Sequence, residues 1–238
     1  MLKHRPGTLP FSRGFILNKR YPDIAHALQG IRDGDTIMIG GFGLAGQPAA
    51  LIEGLADLNL KELTIINNNA GNGDTGLAAL LARGQVRKII CSFPRQHDSH
   101  VFDGLYRAGK IELELVPQGN LVARIEAAGA GLGAIFTPVG YGTDLARGKE
   151  VREIDGRHYV LEYPLHAAVA LVKAHVADEF GNLIYRRTAR NFGPIMAAAA
   201  KTTIVQVTRV VVPGQLDPET IVTPGIFVQR VVVVPPQE

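Results

Sequence analysis

The chain has 238 residues, with 25 lysines and arginines against 22 acidic residues and a formal net charge of +3. So small an excess of positive charge does not favour a general nucleic-acid binder. Hydrophobic residues make up 46% and charged residues 20% of the chain, which excludes a disordered or fibrous protein. Because Cys91 is the only cysteine and no apolar run reaches about 18 residues, we expect a cytoplasmic protein without disulfides or membrane spans.

The first 20 residues differ in composition from the rest of the chain. They contain no acidic residue, and their basic residues are Lys3, Arg5, Arg13, Lys19 and Arg20. An organelle transit peptide has a similar composition. Because Pro6 and Pro10 interrupt this segment, we interpret it as a loose basic tail. A single domain is then expected over residues 21–238.

Short β-rich runs alternate along the chain with segments of helical periodicity. This order is typical of βαβ units and predicts an α/β fold with a mostly parallel sheet and flanking helices. Residues 111–116 alternate apolar and acidic side chains, which predicts a strand at or near a sheet edge. Strands are expected at 36–39, 63–66, 87–91, 111–116, 151–154, 157–161, 167–175, 203–207 and 226–234. Helices are expected at 22–29, after Pro48, at 76–83, from an Asn120 cap to 128, and at 195–201.

Residues Gly41 to Gly46 match the G-x-G-x-x-G pattern, between a predicted strand and a predicted helix. A nicotinamide site would also need an acidic residue after the next strand, where this chain has Asn67, Asn68 and Asn69. The pattern therefore favours a general anion site, in which backbone N–H groups and a helix N-terminus contact a pyrophosphate or carboxylate. A tight turn without a ligand is the alternative.

Two side-chain amides follow predicted strands, Asn68 after 63–66 and Gln118 after 111–116. If those strands are parallel, both amides lie at the carboxyl edge of the sheet and can donate to a developing oxyanion. Arg95 is a candidate partner for a substrate carboxylate, because guanidinium binds carboxylates in a bidentate manner. Loop stabilisation by the amides and an ordinary surface arginine are the alternatives.

The sequence offers no obvious nucleophile of its own. Neither Gly109-Lys110 nor Gly148-Lys149 is followed by Ser or Thr as in a P-loop, and no serine lies in G-x-S-x-G. Cys91 closes an apolar strand, which is typical of a buried structural cysteine. His97, Asp98 and His100 lack the partners of a metal motif, so we predict no metal site.

A longer pattern resembles a known family. Residues 33–48 contain an Asp-Gly pair, three apolar residues, Gly-Gly-Phe and then Gly-x-Pro, and they resemble, position by position, the family I coenzyme A transferases. The resemblance extends over nearly all of the chain after the basic tail. It continues at Asn68–Gly71, Val116–Leu121, Thr137–Thr143, Ala189–Phe192 and Thr223–Arg230.

This resemblance implies an α/β fold and a covalent mechanism shared between two subunits. In that mechanism a glutamate attacks the acyl-CoA thioester, giving an acyl-glutamyl anhydride and then a glutamyl-CoA thioester. The glutamate belongs to a partner B subunit, in a Glu-Asn-Gly motif that this chain lacks. The expected assembly is a heterotetramer of two A and two B subunits, and this chain is expected to be of the A type. Coenzyme A is expected as the substrate thioester, with no permanently bound cofactor.

The resemblance also implies roles for individual residues. Coenzyme A would contact the glycine loop, and Asn68 and Gln118 would line the active site and stabilise the oxyanion. Residues 91–96 favour the branch of the family that accepts 3-oxoadipate, with succinyl-CoA as donor. Acetoacetate is the alternative acceptor, and a non-catalytic ligand-sensing or sugar-phosphate-handling protein is the alternative of another class. The glycine loop comprises Gly40, Gly41, Phe42, Gly43, Leu44, Ala45 and Gly46.

Overall fold

The computed structural model describes residues 18–235. Most of the predicted basic tail, residues 1–17, therefore lies outside the described residues. Arg20, the last residue of that segment, belongs to a short strand with Tyr21.

The first half of the domain alternates strands and helices as predicted. Its elements are β1 (Arg20–Tyr21), α1 (Ile24–Ala27), β2 (Thr36–Ile39), α2 (Ala49–Asp57), β3 (Leu63–Ile66), α3 (Leu77–Ala82), β4 (Val86–Cys91), α4 (His100–Arg107), β5 (Glu112–Leu115) and α5 (Gln118–Gly129). The second half contains β6 (Ile135–Thr137), β7 (Val151–Ile154), β8 (Arg157–Glu162), β9 (Ala167–Lys173), β10 (Val176–Asp178), β11 (Leu183–Ile184), α6 (Gly193–Ala199), β12 (Ala200–Val207), β13 (Arg209–Val211) and β14 (Arg230–Val233). Single 3-10 turns lie at Asp144–Ala146, Arg187–Arg190, Pro218–Thr220 and Gly225–Phe227.

Eight strands form one sheet in the order β1-β14-β12-β9-β2-β3-β4-β5, and every neighbouring pair is parallel. Two three-stranded sheets, β6-β8-β7 and β11-β10-β13, lie outside it. The predicted α/β class with a mostly parallel sheet and flanking helices is confirmed. Strand β5 lies at an edge, as its alternating apolar and acidic residues predict.

Helices cover both faces of the parallel sheet. Within β2, Ile37 and Ile39 pack into a core layer with residues of α1 to α4, whereas Met38 packs into the opposite layer with residues of α5 and α6. This alternation follows from the two-residue period of a strand. All three side chains are fully buried, and each such burial contributes about 1.5–3 kcal/mol relative to exposure.

Several predicted bounds and turns are confirmed. Strands β2 and β3 have the predicted ends, and Asp155 and Gly156, both at positive φ, join β7 to β8 in a two-residue hairpin. The strand predicted over 226–234 is wrong in its first half, because a 3-10 turn at Gly225–Phe227 precedes the shorter β14. Helix α4 is absent from the predicted elements.

The predicted Asn120 cap is also wrong. Helix α5 begins at Gln118, and the Pro117 carbonyl accepts the N–H of Leu121 at 2.8 Å. Pro117, and not Asn120, occupies the cap position, so the helix begins three residues earlier than predicted. Asn120 is instead buried in the first turn, where its Oδ1 accepts from the Thr137 hydroxyl at 3.0 Å.

Candidate active site

The direction of chain progression reverses between the central strands β2 and β9. From β2 the chain moves through α2 to β3, and from β9 it moves through α6 to β12 on the other side of the sheet. In open α/β sheets the crevice at such a switch point, outside the carboxyl ends of the strands, is the usual ligand site. The glycine loop lies there, and the Gly40 N–H donates to the Leu171 carbonyl of β9 at 2.9 Å.

The glycine loop is a small hairpin with an exposed tip. Phe42 and Ala45 exchange backbone hydrogen bonds of 2.9 and 3.2 Å, while Leu44 at the tip is 79% exposed. A Cβ on Gly46 would lie 2.4 Å from the Ala189 carbonyl oxygen, so the loop packs directly on the turn at Arg187–Arg190. This packing holds the loop in place while leaving its tip accessible.

The helix after the loop has few free N–H groups at its start. The N–H of Ala49 donates to Gln47, that of Ile52 to Pro48, and that of Leu51 to the Gln206 side chain at 3.2 Å. Because these donors are already used, the N-terminus of α2 offers less to an anion than the sequence suggests. Backbone contacts to a ligand would come from the glycine loop itself.

Three consecutive asparagines form the turn after β3. The Asn67 Nδ2 donates to the Ile39 carbonyl of β2 at 2.6 Å, and its Oδ1 accepts from the Asn69 N–H at 2.9 Å. Asn68 is 2% exposed and its Oδ1 accepts from the Ser92 hydroxyl after β4 at 2.7 Å. The Asn69 Oδ1 accepts from the Gly71 N–H at 2.9 Å. The asparagine turn thus fixes the carboxyl ends of three neighbouring strands.

A small polar cavity, which we term the amide cavity, separates the glycine loop from the asparagine turn. Its volume is about 20 Å³, enough for one water-sized group. Asn69, 3% exposed, lines it, and its Nδ2 has no hydrogen-bond partner among residues 18–235. The lining residues are Gly43, Leu44, Gln47, Asn69, Gly71, Asn72, Thr75 and Gln96.

A larger cavity, which we term the basic cavity, lies on the β9 side of the glycine loop. Its volume is about 420 Å³, and Ala45 of the loop is part of its wall. It contains Lys173, His175, Arg186 and Arg187, and none of these forms an ion pair with a carboxylate of residues 18–235. Such a lining favours an anionic ligand.

Comparison with known sequences identifies the family. The sequence pattern described as coenzyme A transferase matches residues 21–234. This chain belongs to the coenzyme A transferase family.

Individual relatives agree with this assignment. The chain is 68% identical over 219 residues to the A subunit of 3-oxoadipate CoA-transferase from Pseudomonas putida, covering 92% of this chain and 95% of that protein. It is 50% identical over 215 residues to the A subunit of succinyl-CoA:3-ketoacid coenzyme A transferase from Xanthomonas campestris, covering 90% and 88%.

A solved structure shares the fold. An acyl-CoA transferase from E. coli O157:H7 superposes with a TM-score of 0.82 at 22% identity, over 94% of this chain and 51% of that chain. This chain therefore spans about half the length of that transferase.

The fold of this chain brings only part of the predicted site together. The glycine loop, through Gly43 and Leu44, meets Asn69 rather than Asn68 at the amide cavity. Gln118 is exposed at the start of α5, beyond the carboxyl end of β5. Strand β4 separates β3 from β5, so Asn68 and Gln118 follow strands about 10 Å apart.

Arg95 lies outside the two cavities that flank the glycine loop. Its Nε forms a 2.6 Å ion pair with Asp103 of α4, and it lines a separate cavity of about 340 Å³ with Tyr106 and Leu115. Its neighbour Gln96 lines the amide cavity and accepts a hydrogen bond from Asn72. Sequence analysis missed Gln96, Asn69 and the basic cavity, whose residues only the fold brings together.

The described residues show neither a reactive thiol nor a metal site. Burial raises the pKa of the Cys91 thiol to about 12, so this cysteine is a poor nucleophile. Within residues 18–235, no cluster of three or more His, Cys, Asp or Glu side chains is arranged to hold a metal ion. None of the helices in that range has the length and apolar character needed to cross a membrane.

Proposed function

We propose that this chain is the A subunit of a two-subunit transferase that moves coenzyme A from succinyl-CoA to 3-oxoadipate. The observation that carries the proposal is the 68% identity, over 92% of the chain, to the corresponding subunit of 3-oxoadipate CoA-transferase. The relative that acts on 3-ketoacids is 50% identical, so acetoacetate is the second acceptor to test. The higher identity favours 3-oxoadipate.

The proposal includes a partner B subunit that supplies the nucleophile. Both relatives are named as A subunits, and this chain corresponds to about half of the acyl-CoA transferase from E. coli. The chain lacks the Glu-Asn-Gly motif of the expected nucleophile. A heterotetramer of two A and two B subunits in the cytoplasm is the assembly that we propose.

The proposed reaction is two successive acyl transfers without a resident cofactor. A glutamate oxygen of the B subunit attacks the succinyl thioester carbon, and the C–S bond breaks. Coenzyme A departs as the thiolate, and an acyl-glutamyl anhydride is formed. The thiolate then attacks the glutamyl carbonyl, the C–O bond breaks, and succinate departs as a carboxylate. The resulting glutamyl-CoA thioester passes coenzyme A to 3-oxoadipate by the reverse sequence.

This chain's part is to bind the thioester and to stabilise negative charge on its carbonyl oxygen. Gln118 is at the N-terminus of the 12-residue helix α5, whose dipole favours an anion there. The glycine loop offers backbone contacts at the switch point, and the four basic residues of the basic cavity suit the phosphates of coenzyme A. Asn68, in the asparagine turn after β3, remains a second proposed donor.

The test is co-expression of this chain with a candidate B subunit, followed by copurification and an assay for 3-oxoadipyl-CoA. We expect a stable complex that converts 3-oxoadipate faster than acetoacetate in the same assay, while neither protein is active on its own. Turnover by this chain alone would contradict the shared active site. Faster conversion of acetoacetate would contradict only the acceptor.

A further inference from the structure

The segment that follows β4 lies between the two proposed oxyanion donors. Asn68 follows β3 and Gln118 follows β5, and β4 runs between those two strands. The Phe93 N–H donates to the Asn68 carbonyl at 3.0 Å, and Gln96 lines the amide cavity. A ligand that reaches from one proposed donor towards the other therefore passes over residues 92–96.

A cavity beside this segment has apolar walls and one cation. Its volume is about 340 Å³, which is within the range of small-molecule sites. Among the described residues that line it, Arg95 is the only charged one. Phe93 and Leu115 in its wall are exposed apolar side chains, and a ligand in the cavity would cover them. We term it the aromatic cavity, and its lining residues are Phe93, Pro94, Arg95, Phe102, Tyr106, Leu113 and Leu115.

An aspartate of α4 orients the Arg95 guanidinium. The Arg95 Nε donates to the Asp103 Oδ1 at 2.6 Å. Asp103 is the only carboxylate among residues 18–235 that forms an ion pair with Arg95. A guanidinium carries further N–H donors on its two terminal nitrogens, and these have the geometry to bind a second carboxylate in a bidentate manner.

The lining of the aromatic cavity complements a short aliphatic chain that ends in a carboxylate. The apolar walls favour methylene groups, and the guanidinium favours the carboxylate. Beyond its keto carbon, 3-oxoadipate has two methylene groups and a second carboxylate, whereas acetoacetate has only a methyl group. Because neighbouring strands lie about 5 Å apart, a six-carbon acid with one end at Asn68 can reach past the end of β4.

We propose that the Arg95 guanidinium binds the distal carboxylate of the acceptor acid in the aromatic cavity and thereby selects dicarboxylic 3-oxo acids. This inference rests on the proposed transferase function and names the residue that determines its acceptor. Arg95 is thus a specificity residue rather than a catalytic one. Its loss should affect a dicarboxylic acceptor and spare a monocarboxylic one.

The decisive variant is Arg95→Gln in the complex with the B subunit. The glutamine keeps a polar side chain but removes the charge and the bidentate donors. Arg83→Gln is the matched control, because Arg83 also pairs with an aspartate, Asp57, at 3.1 Å. Arg83 precedes β4, at the opposite end of the strand from Arg95. Circular dichroism and copurification establish that both variants fold and assemble.

The first measurement is kcat/KM for 3-oxoadipate and for acetoacetate, with succinyl-CoA as the donor in both assays. We expect Arg95→Gln to lower the value for 3-oxoadipate by about 10- to 100-fold, as for loss of a charge-assisted contact. The value for acetoacetate, and both values for Arg83→Gln, should change by less than about threefold. Because the donor is the same, an effect on succinyl-CoA would lower both acceptors equally.

The second measurement compares the binding of adipate and hexanoate, which differ only in a carboxylate in place of a terminal methyl group. Each acid is titrated into the complex, and ligand-observed NMR gives its Kd. We expect the wild-type complex to bind adipate more tightly than hexanoate. Arg95→Gln should weaken adipate by about 10- to 100-fold and leave hexanoate unchanged.

Three results would overturn the inference: equal losses with both acceptors, an unchanged preference for 3-oxoadipate in Arg95→Gln, or equal binding of adipate and hexanoate by the wild-type complex. Failure of the proposed function is distinguishable from these results. A wild-type complex that converts only acetoacetate, or neither acid, would reject the proposed acceptor or reaction. The adipate titration would then decide whether Arg95 binds a distal carboxylate, since it does not depend on turnover.

Discussion

The Asn191 Nδ2 donates a 2.9 Å hydrogen bond to the Ala45 carbonyl oxygen, across 146 positions of sequence. The same nitrogen donates to the Thr188 carbonyl at 2.8 Å, and the Asn191 Oδ1 accepts from the Phe192 N–H. One side chain therefore joins the glycine loop to the turn at Arg187–Arg190. The position of the loop depends on a residue from the far end of the chain.

Asn191→Asp tests this connection. The aspartate can still accept from the Phe192 N–H, but it replaces the donor to Ala45 and Thr188 with an oxygen. We expect the loop to loosen and the KM for succinyl-CoA to rise about tenfold, the equivalent of about 1.4 kcal/mol. Steady-state kinetics of the complex give the KM, and hydrogen exchange of the backbone amides of residues 41–46 reports on the mobility of the loop. Asn59→Asp, on an exposed turn away from the loop, is the charge control. Unchanged exchange in the loop would contradict the connection.

Gly46→Ala and Gly43→Ala distinguish the cost of a steric contact at the new Cβ from the cost of a positive φ. Both glycines have positive φ, at +75° and +58°, so alanine costs each about 1 kcal/mol or somewhat more. Only at Gly46 would the new Cβ meet another group, the Ala189 carbonyl oxygen at 2.4 Å, whereas Gly43 has open space. We expect thermal denaturation to show a loss at least twice as large for Gly46→Ala, and equal losses would refute the tight packing.

Gln118→Ala tests the second predicted oxyanion donor. In the assembled enzyme we expect the formation of the anhydride to slow by about ten- to a thousand-fold. Because Gln118 is exposed, the stability of the chain is expected to change by less than about 0.5 kcal/mol. Rapid-quench measurement of the labelling of the partner glutamate provides the rate. A normal rate would remove Gln118 from the site.

Many strands of the sheet could be predicted because each is marked by a pattern within its own few residues. Strands β2 (Thr-Ile-Met-Ile) and β3 (Leu-Thr-Ile-Ile) are short runs of apolar and β-branched residues bounded by turn residues, so the predicted ends are correct. Helix α4 is missed because Ser99 provides no capping hydrogen bond to mark its start and Gly104, a poor helix former, lies in its interior. The glycine loop can be located because its pattern is contiguous.

The composition of the cavities could not be predicted, since it depends on contacts between distant segments. Arg95 and Gln96 are neighbours in sequence, yet they line different cavities. Asn68 and Asn69 are equivalent as sequence letters, and only the fold places Asn69 at the amide cavity while the Asn68 Oδ1 accepts from the Ser92 hydroxyl. The basic cavity combines Ala45 with Lys173 and Arg186, which no linear pattern connects.

Cys91 should resist alkylation in the folded protein. It is fully buried, and desolvation raises its thiol pKa from 9.0 to about 12. The neutral thiol is therefore favoured in the folded state, and its contribution to stability is complete below pH 9 and is lost as the pH rises towards 12. With iodoacetamide at pH 8, we expect labelling at least about 100-fold slower than in urea-unfolded chain. Comparable rates would show that the thiol is accessible.

Glu114 should make stability depend on acid pH. It lies on the edge strand β5, where the Lys88 Nζ and the Arg124 Nη1 lie 2.6 and 2.9 Å from its carboxylate. Burial alone would raise its pKa, but the hydrogen bonds and charges of Lys88 and Arg124 outweigh burial and lower it below 4.5. Its contribution to stability is therefore present above the unfolded-state pKa near 4.5 and is lost as the pH falls through the lower folded-state pKa.

Glu114→Gln measures that contribution. Urea unfolding should show wild type more stable than the variant at pH 7, with the difference shrinking as the pH falls below 4.5. Glu112→Gln is the matched control, because Glu112 is on the same strand and pairs with Arg87 at 3.0 Å, but its side chain is 60% exposed. Exposed ion pairs contribute little to the free energy of unfolding, so Glu112→Gln should lower it less than Glu114→Gln does. If the difference in unfolding free energy between wild type and Glu114→Gln did not change with pH, the role of Glu114 would be packing rather than charge.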